Sequence, residues 1–196
     1  MMRQLLLLLI VLLAAGPAWS APVDDAAAAN DRGDYAAQLR IIRPLAVKGE
    51  AWAQLQLGDS YRIGKGVPKN DFEAVNWYRL AAAQGDASAQ HKIGLMYFRG
   101  QGVVLDYAES AKFYRLAAAQ GHLLGQLELG LLYLNGQGVV QDSVRAHMWL
   151  NLAAIAGNKG AEFLRESAAT KLTPQQIAEA QKLGRECQAR SFKGCD

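Results

Sequence analysis

Residues 51–86 read AWAQLQLGDSYRIGKGVPKNDFEAVNWYRLAAAQGD, and the same spacing of glycines, aromatic residues and alanines recurs at residues 87–122 and 123–158. The chain therefore contains three copies of a 36-residue unit. The recurring positions include Gly58, Gly94 and Gly130; Tyr61, Tyr97 and Tyr133; Gly64, Gly100 and Gly136; and Val67, Val103 and Val139. Self-similarity at a period of this length is typical of solenoid proteins.

Each unit is predicted to contain two helices. In the first half, Leu57 and Tyr61 are spaced to lie on one helical face, and Gly64 follows as the residue that ends the helix in a left-handed conformation. The second helices are predicted to begin after the N-cap residues Asn70, Asp106 and Asp142. A glutamate follows the first two caps by three residues, whereas Arg145 takes that position in the third unit. Two-residue links such as 85–86 make successive helices antiparallel.

The flanking segments supply the ends that a stack of repeats requires. We expect residues 21–50 to form an N-terminal capping half-repeat, and residues 159–196 to form C-terminal capping helices with a cysteine-containing tail. In the latter segment, Thr173 is placed to cap a helix that has Pro174 at its first position and Gln176 at its third. The predicted fold class is all-α: an α-solenoid of antiparallel helix pairs, with three full repeats at 51–86, 87–122 and 123–158.

The first twenty residues have the features of a cleaved signal peptide. Arg3 precedes an uncharged apolar run at residues 5–15, and a small residue stands at positions 18 and 20. We expect cleavage after Ser20 and a periplasmic or secreted protein. Because the apolar run is shorter than the roughly 20 residues that span a bilayer, no stable membrane insertion is expected after cleavage.

Both cysteines lie near the C-terminus, at Cys187 and Cys195. In an oxidising compartment an even number of cysteines favours pairing, and we expect a disulfide between these two. A continuous helix would hold their Cα atoms about 12 Å apart, beyond the reach of a disulfide. The last helix is therefore predicted to end near Arg190, with the tail folding back.

Charge and side-chain inventory exclude several classes of function. The 196 residues include 21 Lys and Arg against 18 Asp and Glu, with no long block of one sign, so no nucleic-acid partner is expected. The histidines, His91, His122 and His147, occupy three different repeat positions, and His122 stands at a helix start as a weak cap. We therefore predict no catalytic, cofactor-binding or metal-binding residues and no enzymatic activity.

The repeated pattern A-x-A-Q-x-x-L-G-x-x-Y-x-x-G-x-G-V-x-x-D, followed by A-x-x-W-x-x-x-A-A-x-x-G, resembles the Sel1-like repeat, a relative of the tetratricopeptide repeat. Departures are modest, such as Asn70 for Asp, Phe113 for Trp and Gly125 for the second Ala. The resemblance implies an α-solenoid that brings proteins together, so we expect a scaffold or adaptor in the cell envelope with a protein or peptide partner. It names no partner, because function lies in the variable surface.

Two other functions remain open at this stage. Some secreted cysteine-rich members of the family are described as penicillin-binding or β-lactamase-like, but they carry a cysteine pair in each repeat, which this chain does not. An envelope enzyme of that kind is the alternative to a scaffold. A structural subunit of an envelope assembly differs from a scaffold only in the permanence of its partner.

Repeat positions also separate structural residues from candidate binding residues. Tyr61, Tyr97 and Tyr133 are expected to pack between helices, and Gln54, Gln90 and Gln126 to bond to backbone at helix junctions. The opposite side of the first helices supplies the candidate partner-binding residues, which are Trp52, Leu55, Asp59 and Arg62; His91, Leu95 and Phe98; and Leu127, Leu131 and Leu134. The third of these helices is apolar almost all round, which is typical of a buried helix. We favour cover by the chain's own last helix, residues 174–187, over cover by a partner or by a second copy in a homodimer.

Overall fold

The computed structural model describes residues 20–195, and the predicted signal peptide lies almost wholly outside them. The described part of the chain is built from helices alone, in the order α1 Ser20–Asp31, α2 Tyr35–Val47, α3 Ala51–Ile63, α4 Asp71–Ala83, α5 Ala87–Arg99, α6 Tyr107–Ala118, α7 Leu123–Asn135, α8 Ser143–Ile155, α9 Lys159–Ala169 and α10 Pro174–Ala189. Each helix packs on the next from α1 to α9, which confirms the all-α solenoid of paired helices.

Local sequence fixes where the repeat helices begin and end. The side chains of Asn70, Asp106 and Asp142 accept hydrogen bonds from backbone N–H groups in the first turns of α4, α6 and α8. In α8, Arg145 also pairs with the cap carboxylate of Asp142 at 2.6 Å, so the cap whose glutamate is missing gains an ion pair instead. At the other end, Gly64 closes α3 with φ of +81°, a conformation that costs residues with a Cβ more.

The glutamines join successive helix pairs, as expected. Gln54 Nε2 donates to the carbonyl of Ala46, and Gln90 Nε2 donates to that of Ala82. Gln84 extends the first of these bonds, since its amide donates at 2.8 Å to the side-chain oxygen of Gln54. These buried amides therefore satisfy backbone groups where one repeat meets the next.

The repeat tyrosines also follow the prediction. The hydroxyl of Tyr97 accepts a hydrogen bond from Arg79 at 2.9 Å, and that of Tyr133 accepts one from Arg115 at 3.2 Å. Each bond links a second helix to the following first helix. The tyrosine row is thus part of the packing between repeats.

The C-terminal cap differs from the expectation in one respect. Thr173 and Gln176 form the predicted capping box, α10 ends at Ala189, and the tail returns so that Cys187 and Cys195 form a disulfide. However, α10 packs along α8. Gly184 of α10 faces Met148 and Leu152 of α8, and a Cβ on this glycine would lie 3.8 Å from each of these side chains. The prediction that α10 covers the leucines of α7 is therefore wrong, because the small side of α10 fits the second helix of repeat three.

Candidate functional site

The candidate site is the outward side of α3, α5 and α7, called here the first-helix surface. Its side chains are mostly half-buried, since neighbouring first helices lie close enough for side chains to meet across them. Among the predicted partner-binding residues, Leu55 and Leu127 are partly buried and pack against the core. Phe98 packs on Tyr107, with the ring centroids 5.2 Å apart. Leu134 is only 8% exposed and belongs to the core, so it is not available to a partner.

Repeat one carries a closed polar network on this surface. The hydroxyl of Tyr78 donates to a carboxylate oxygen of Asp59 at 2.6 Å and accepts from Nε of Arg62 at 3.2 Å. Lys92, one repeat further on, places its ammonium 2.9 Å from the same Asp59 oxygen. Burial, followed by the Asp59 charge, raises the pKa of Tyr78 well above its usual range, so its hydroxyl stays protonated as a donor.

A glycine on each first helix lets the tyrosine reach this surface. A Cβ on Gly58 would lie 2.5 Å from the ring of Tyr78, and one on Gly94 would lie 2.6 Å from the ring of Tyr114. The aromatic ring from the second helix therefore crosses the first helix directly at its glycine. In repeat three the equivalent pair is Gly130 and Leu150, and no hydroxyl is delivered there.

Repeat two has the tyrosine but lacks its partners. Leu95 and Phe98 stand at the positions of Asp59 and Arg62, and Glu128 stands at the position of Lys92. Tyr114 is fully buried, and its hydroxyl forms no hydrogen bond within residues 20–195; the hydroxyl of Ser110, one turn earlier on α6, is a polar neighbour that is also buried and without a hydrogen bond. A buried hydroxyl left in this state costs about 1–3 kcal/mol. The tyrosine of repeat two is therefore an unsatisfied group beneath the surface.

Glu128 and Arg99 are the charged groups that influence this hydroxyl electrostatically. Glu128 is half-buried, and burial raises the pKa of its carboxyl, while Arg99 acts in the opposite direction. Within the described chain Glu128 forms neither an ion pair nor a hydrogen bond through its side chain. Its charge contributes to raising the pKa of Tyr114, so the two groups are electrostatic neighbours.

Two stacked histidines adjoin the same tyrosine. The ring of His91 lies 5.6 Å from that of Tyr114 and 5.1 Å from that of His122. Burial first, and then the proximity of His122 and Lys92, lowers the pKa of His91 to about 4. As predicted, His122 caps a helix, since its Nδ1 accepts from the backbone N–H of Gly125. Both rings are therefore neutral at physiological pH.

The N-terminal end of the surface is partly covered. Trp52 lines a cavity of about 160 Å³ between α1, α2 and α3, together with Val23, Ala26, Ala27, Asn30, Asp31, Gln38 and Gln56. Residues of α1 thus form the cavity wall next to Trp52, which is half-buried. This covering makes Trp52 less accessible than a freely exposed anchor.

At the other end, repeat three is apolar. Leu127 and Leu131 are half-buried, and Leu124 is 41% exposed. No residue of α7 belongs to an ion pair recorded within residues 20–195. Charge therefore decreases along the surface from α3 to α7.

Residues 20–195 contain no group of three or more histidine, cysteine, aspartate or glutamate side chains placed to hold a metal ion. None of the helices in that range combines the length and apolar character needed to cross a membrane.

Comparison with protein families assigns the repeats. The Sel1 repeat model matches residues 53–86, 87–122 and 123–158, which together exceed half of the chain. The chain belongs to the Sel1-repeat family. Sel1 repeats generally mediate protein–protein interaction, and proteins built from them are typically helical scaffolds without enzymatic activity. No match was found among curated proteins.

Solved Sel1-repeat structures show the same architecture. The chain is 37% identical to c5321, a protective antigen of uropathogenic Escherichia coli strains with an SLR fold, over 72% of this chain and 33% of that one, with a TM-score of 0.65. It thus spans about a third of the length of c5321. A Sel1 repeat protein from Oxalobacter formigenes is also 37% identical, over 66% of this chain and 97% of that one, with a TM-score of 0.61. Helicobacter pylori cysteine rich protein B shares the fold at 20% identity, over 65% of this chain and 92% of that one, with a TM-score of 0.53.

Four residues of this Sel1-repeat surface were missed by the sequence analysis: Tyr78, Lys92, Tyr114 and Glu128. Tyr78 and Tyr114 align at the 36-residue shift, as do Lys92 and Glu128, so the signal was present in the repeat register. This alignment could not be interpreted before the structure showed that the tyrosine ring packs over the glycine of the first helix. A change of charge between Sel1 repeats at such a position is the signal that could have found the site.

Proposed function

We propose that this chain is an exported protein-interaction scaffold of the cell envelope that binds a protein or peptide along the first-helix surface. The observation that carries the proposal is the open apolar surface of α5 and α7, where Leu95, Leu127 and Leu131 are half-buried and Leu124 is exposed. Since α10 packs on α8, the chain's last helix does not cover this surface. Apolar side chains at the centre of an interface supply much of its binding energy.

Export is supported by two features. The Cys187–Cys195 disulfide suits an oxidising compartment such as the periplasm or the medium. The first twenty residues have the composition of a signal peptide, with cleavage proposed after Ser20. Fractionation of cells that produce the full chain, with mass analysis of its N-terminus, tests both proposals.

Partner binding is tested by crosslinking in the cell. A photoreactive amino acid placed at Leu95 or Leu131 is expected to capture a defined protein, because both positions lie on the proposed surface. Leu116, which is 45% exposed on the second helix α6, provides a matched apolar control that should not capture it. Equal capture from all three positions would place the partner elsewhere.

A substitution supplies the second arm of the test. Leu131→Lys is expected to abolish capture while leaving the melting temperature nearly unchanged, because a half-buried side chain can direct its ammonium to solvent. Leu116→Lys is the control and should retain capture. The double substitution of Leu131 and Leu134 by lysine is not used, because a lysine at the core position of Leu134 would unfold the repeat.

A further inference from the structure

Repeat one shows how a tyrosine, a carboxylate and a cation fit together on the first-helix surface. Tyr78, Asp59 and Lys92 meet at one carboxylate oxygen, with contacts of 2.6 Å and 2.9 Å. The ammonium of Lys92 also lies 5.9 Å from the centre of the Tyr78 ring, within the range of a cation–π contact. This arrangement is complete within the chain.

Repeat two keeps the tyrosine but takes its carboxylate from a different position, and no cation is ion-paired with that carboxylate in the described chain. The hydroxyl of Tyr114 is delivered over Gly94 as that of Tyr78 is delivered over Gly58. The carboxylate now comes from Glu128 on the following first helix, the position that supplies the lysine in repeat one. Arg99 influences the pKa of Glu128 from a distance but forms no ion pair with it in the described chain.

We infer that Tyr114 and Glu128 form a subsite for a lysine or arginine side chain of the bound protein or peptide. The inference rests on the proposed function and specifies the chemistry of the partner. A cation there would pair with the half-buried carboxylate and lie next to the hydroxyls of Tyr114 and Ser110, which are fully buried and form no hydrogen bond in the described chain. The carboxylate of Glu128 would then have the cationic partner that the carboxylate of Asp59 already has in repeat one.

The surroundings favour a long cationic side chain over a small cation. Leu95 stands where Asp59 stands in repeat one, and Leu131 lies one helical turn from Glu128 on α7. Both leucines are half-buried, so they offer apolar surface to the methylene stem of a lysine or arginine. Near neutral pH His91 and His122 are uncharged and add no repulsion.

The test uses three blocked pentapeptides, acetyl-Ala-Leu-X-Leu-Ala-amide, in which X is lysine, acetyl-lysine or glutamate. Binding to the purified chain is followed by calorimetry and by amide chemical shifts. The lysine peptide is expected to bind about fivefold or more tightly than the acetyl-lysine peptide, a ratio typical of one partly exposed ion pair, with shifts centred on α5 and α7. The glutamate peptide should bind most weakly.

Variants link this preference to the two residues. Glu128→Gln should abolish the preference for lysine over acetyl-lysine, and Tyr114→Phe should reduce it. Glu109→Gln is the matched control, because Glu109 pairs with Lys112 on α6 and should leave the preference intact. Circular dichroism of each variant shows that it is folded, so a lost preference reports on the subsite.

The outcomes separate the subsite from the scaffold function. Equal binding of the lysine and acetyl-lysine peptides, a preference that survives Glu128→Gln, or no binding of any peptide would each overturn the subsite. Capture of a partner in the cell that depends on Leu131 but not on Glu128 would also overturn it and leave the scaffold function standing. Loss of capture in both Glu128→Gln and Leu131→Lys supports both proposals.

Discussion

Removing the hydroxyl from each of the two buried tyrosines should have opposite effects on stability. In Tyr78→Phe, the chain loses a 2.6 Å hydrogen bond to Asp59 and a 3.2 Å bond from Arg62. Hydrogen bonds to charged groups contribute about 1.5–3 kcal/mol, and Lys92 still pairs with Asp59 afterwards, so we expect a loss of about 2 kcal/mol. For a chain of this size that lowers the melting temperature by about 4–8 °C.

Tyr114→Phe removes a hydroxyl that has no partner in the described structure. Eliminating an unsatisfied buried group should raise the free energy of unfolding by about 1 kcal/mol, because the desolvation cost disappears while the ring and its packing on Gly94 remain. The two substitutions delete the same atom at equivalent repeat positions. The expected difference between them is therefore about 3 kcal/mol, in favour of Tyr114→Phe.

Equilibrium urea denaturation followed by circular dichroism measures this difference, with the slope of the transition confirming that both variants expose a similar surface on unfolding. As a control, Tyr78→Phe is repeated in an Asp59→Asn background, where its cost should shrink because the charge-assisted bond is already absent. If Tyr114→Phe destabilises the chain as much as Tyr78→Phe, the hydroxyl of Tyr114 has a partner, and the reasoning about repeat two fails.

Two further predictions concern the same helices. Gly94→Ala places a Cβ 2.6 Å from the ring of Tyr114 and should cost about 1–3 kcal/mol, whereas Gly184→Ala, whose Cβ would meet Leu152 at an ordinary 3.8 Å, should be tolerated; thermal melts of both variants provide the comparison. The pKa of His91 is lowered to about 4 in the folded chain, so the unfolded chain protonates this histidine at a higher pH than the folded chain does. The free energy of unfolding should therefore decline by at most about 3 kcal/mol as pH falls from about 6.5 to 4. Urea denaturation at several pH values should show a flatter profile for His91→Gln, and an unchanged profile would contradict this assignment.

The helices and their ends could be predicted because their causes are local. Gly64 and Asn70 act through their own backbone and the next few residues, so the sequence pattern alone located the ends of α3 and α4. Likewise, the tail had to fold back for Cys187 and Cys195 to meet, since helix geometry forbids the contact otherwise. These inferences needed no knowledge of how the helix pairs are arranged.

Packing between distant elements could not be predicted in the same way. The apolar sides of α7 and α10 suggested that they cover each other, but α8 is also apolar, and shape decided that α10 lies there. Periodicity also could not show that Leu134 is buried while Leu131, three residues earlier, is only half-buried. The unsatisfied Tyr114 depended on residues of three different helices, and only their arrangement in space gave its hydroxyl a significance.

The glutamine bonds that join the helix pairs have a consequence for how such a molecule can change in length. Gln90 bonds to the carbonyl of Ala82 where repeat one meets repeat two, and Gln126 bonds in the same way to the carbonyl of Ala118 where repeat two meets repeat three, so the junctions on both sides of repeat two use the same chemistry. The series stops at Gln126, because Glu162 occupies the position of the next glutamine. The middle 36-residue repeat therefore forms the same type of junction at both of its ends, whereas the terminal capping segments form it at one end at most. Gene duplication can lengthen the array from within, while the end pieces set where it stops.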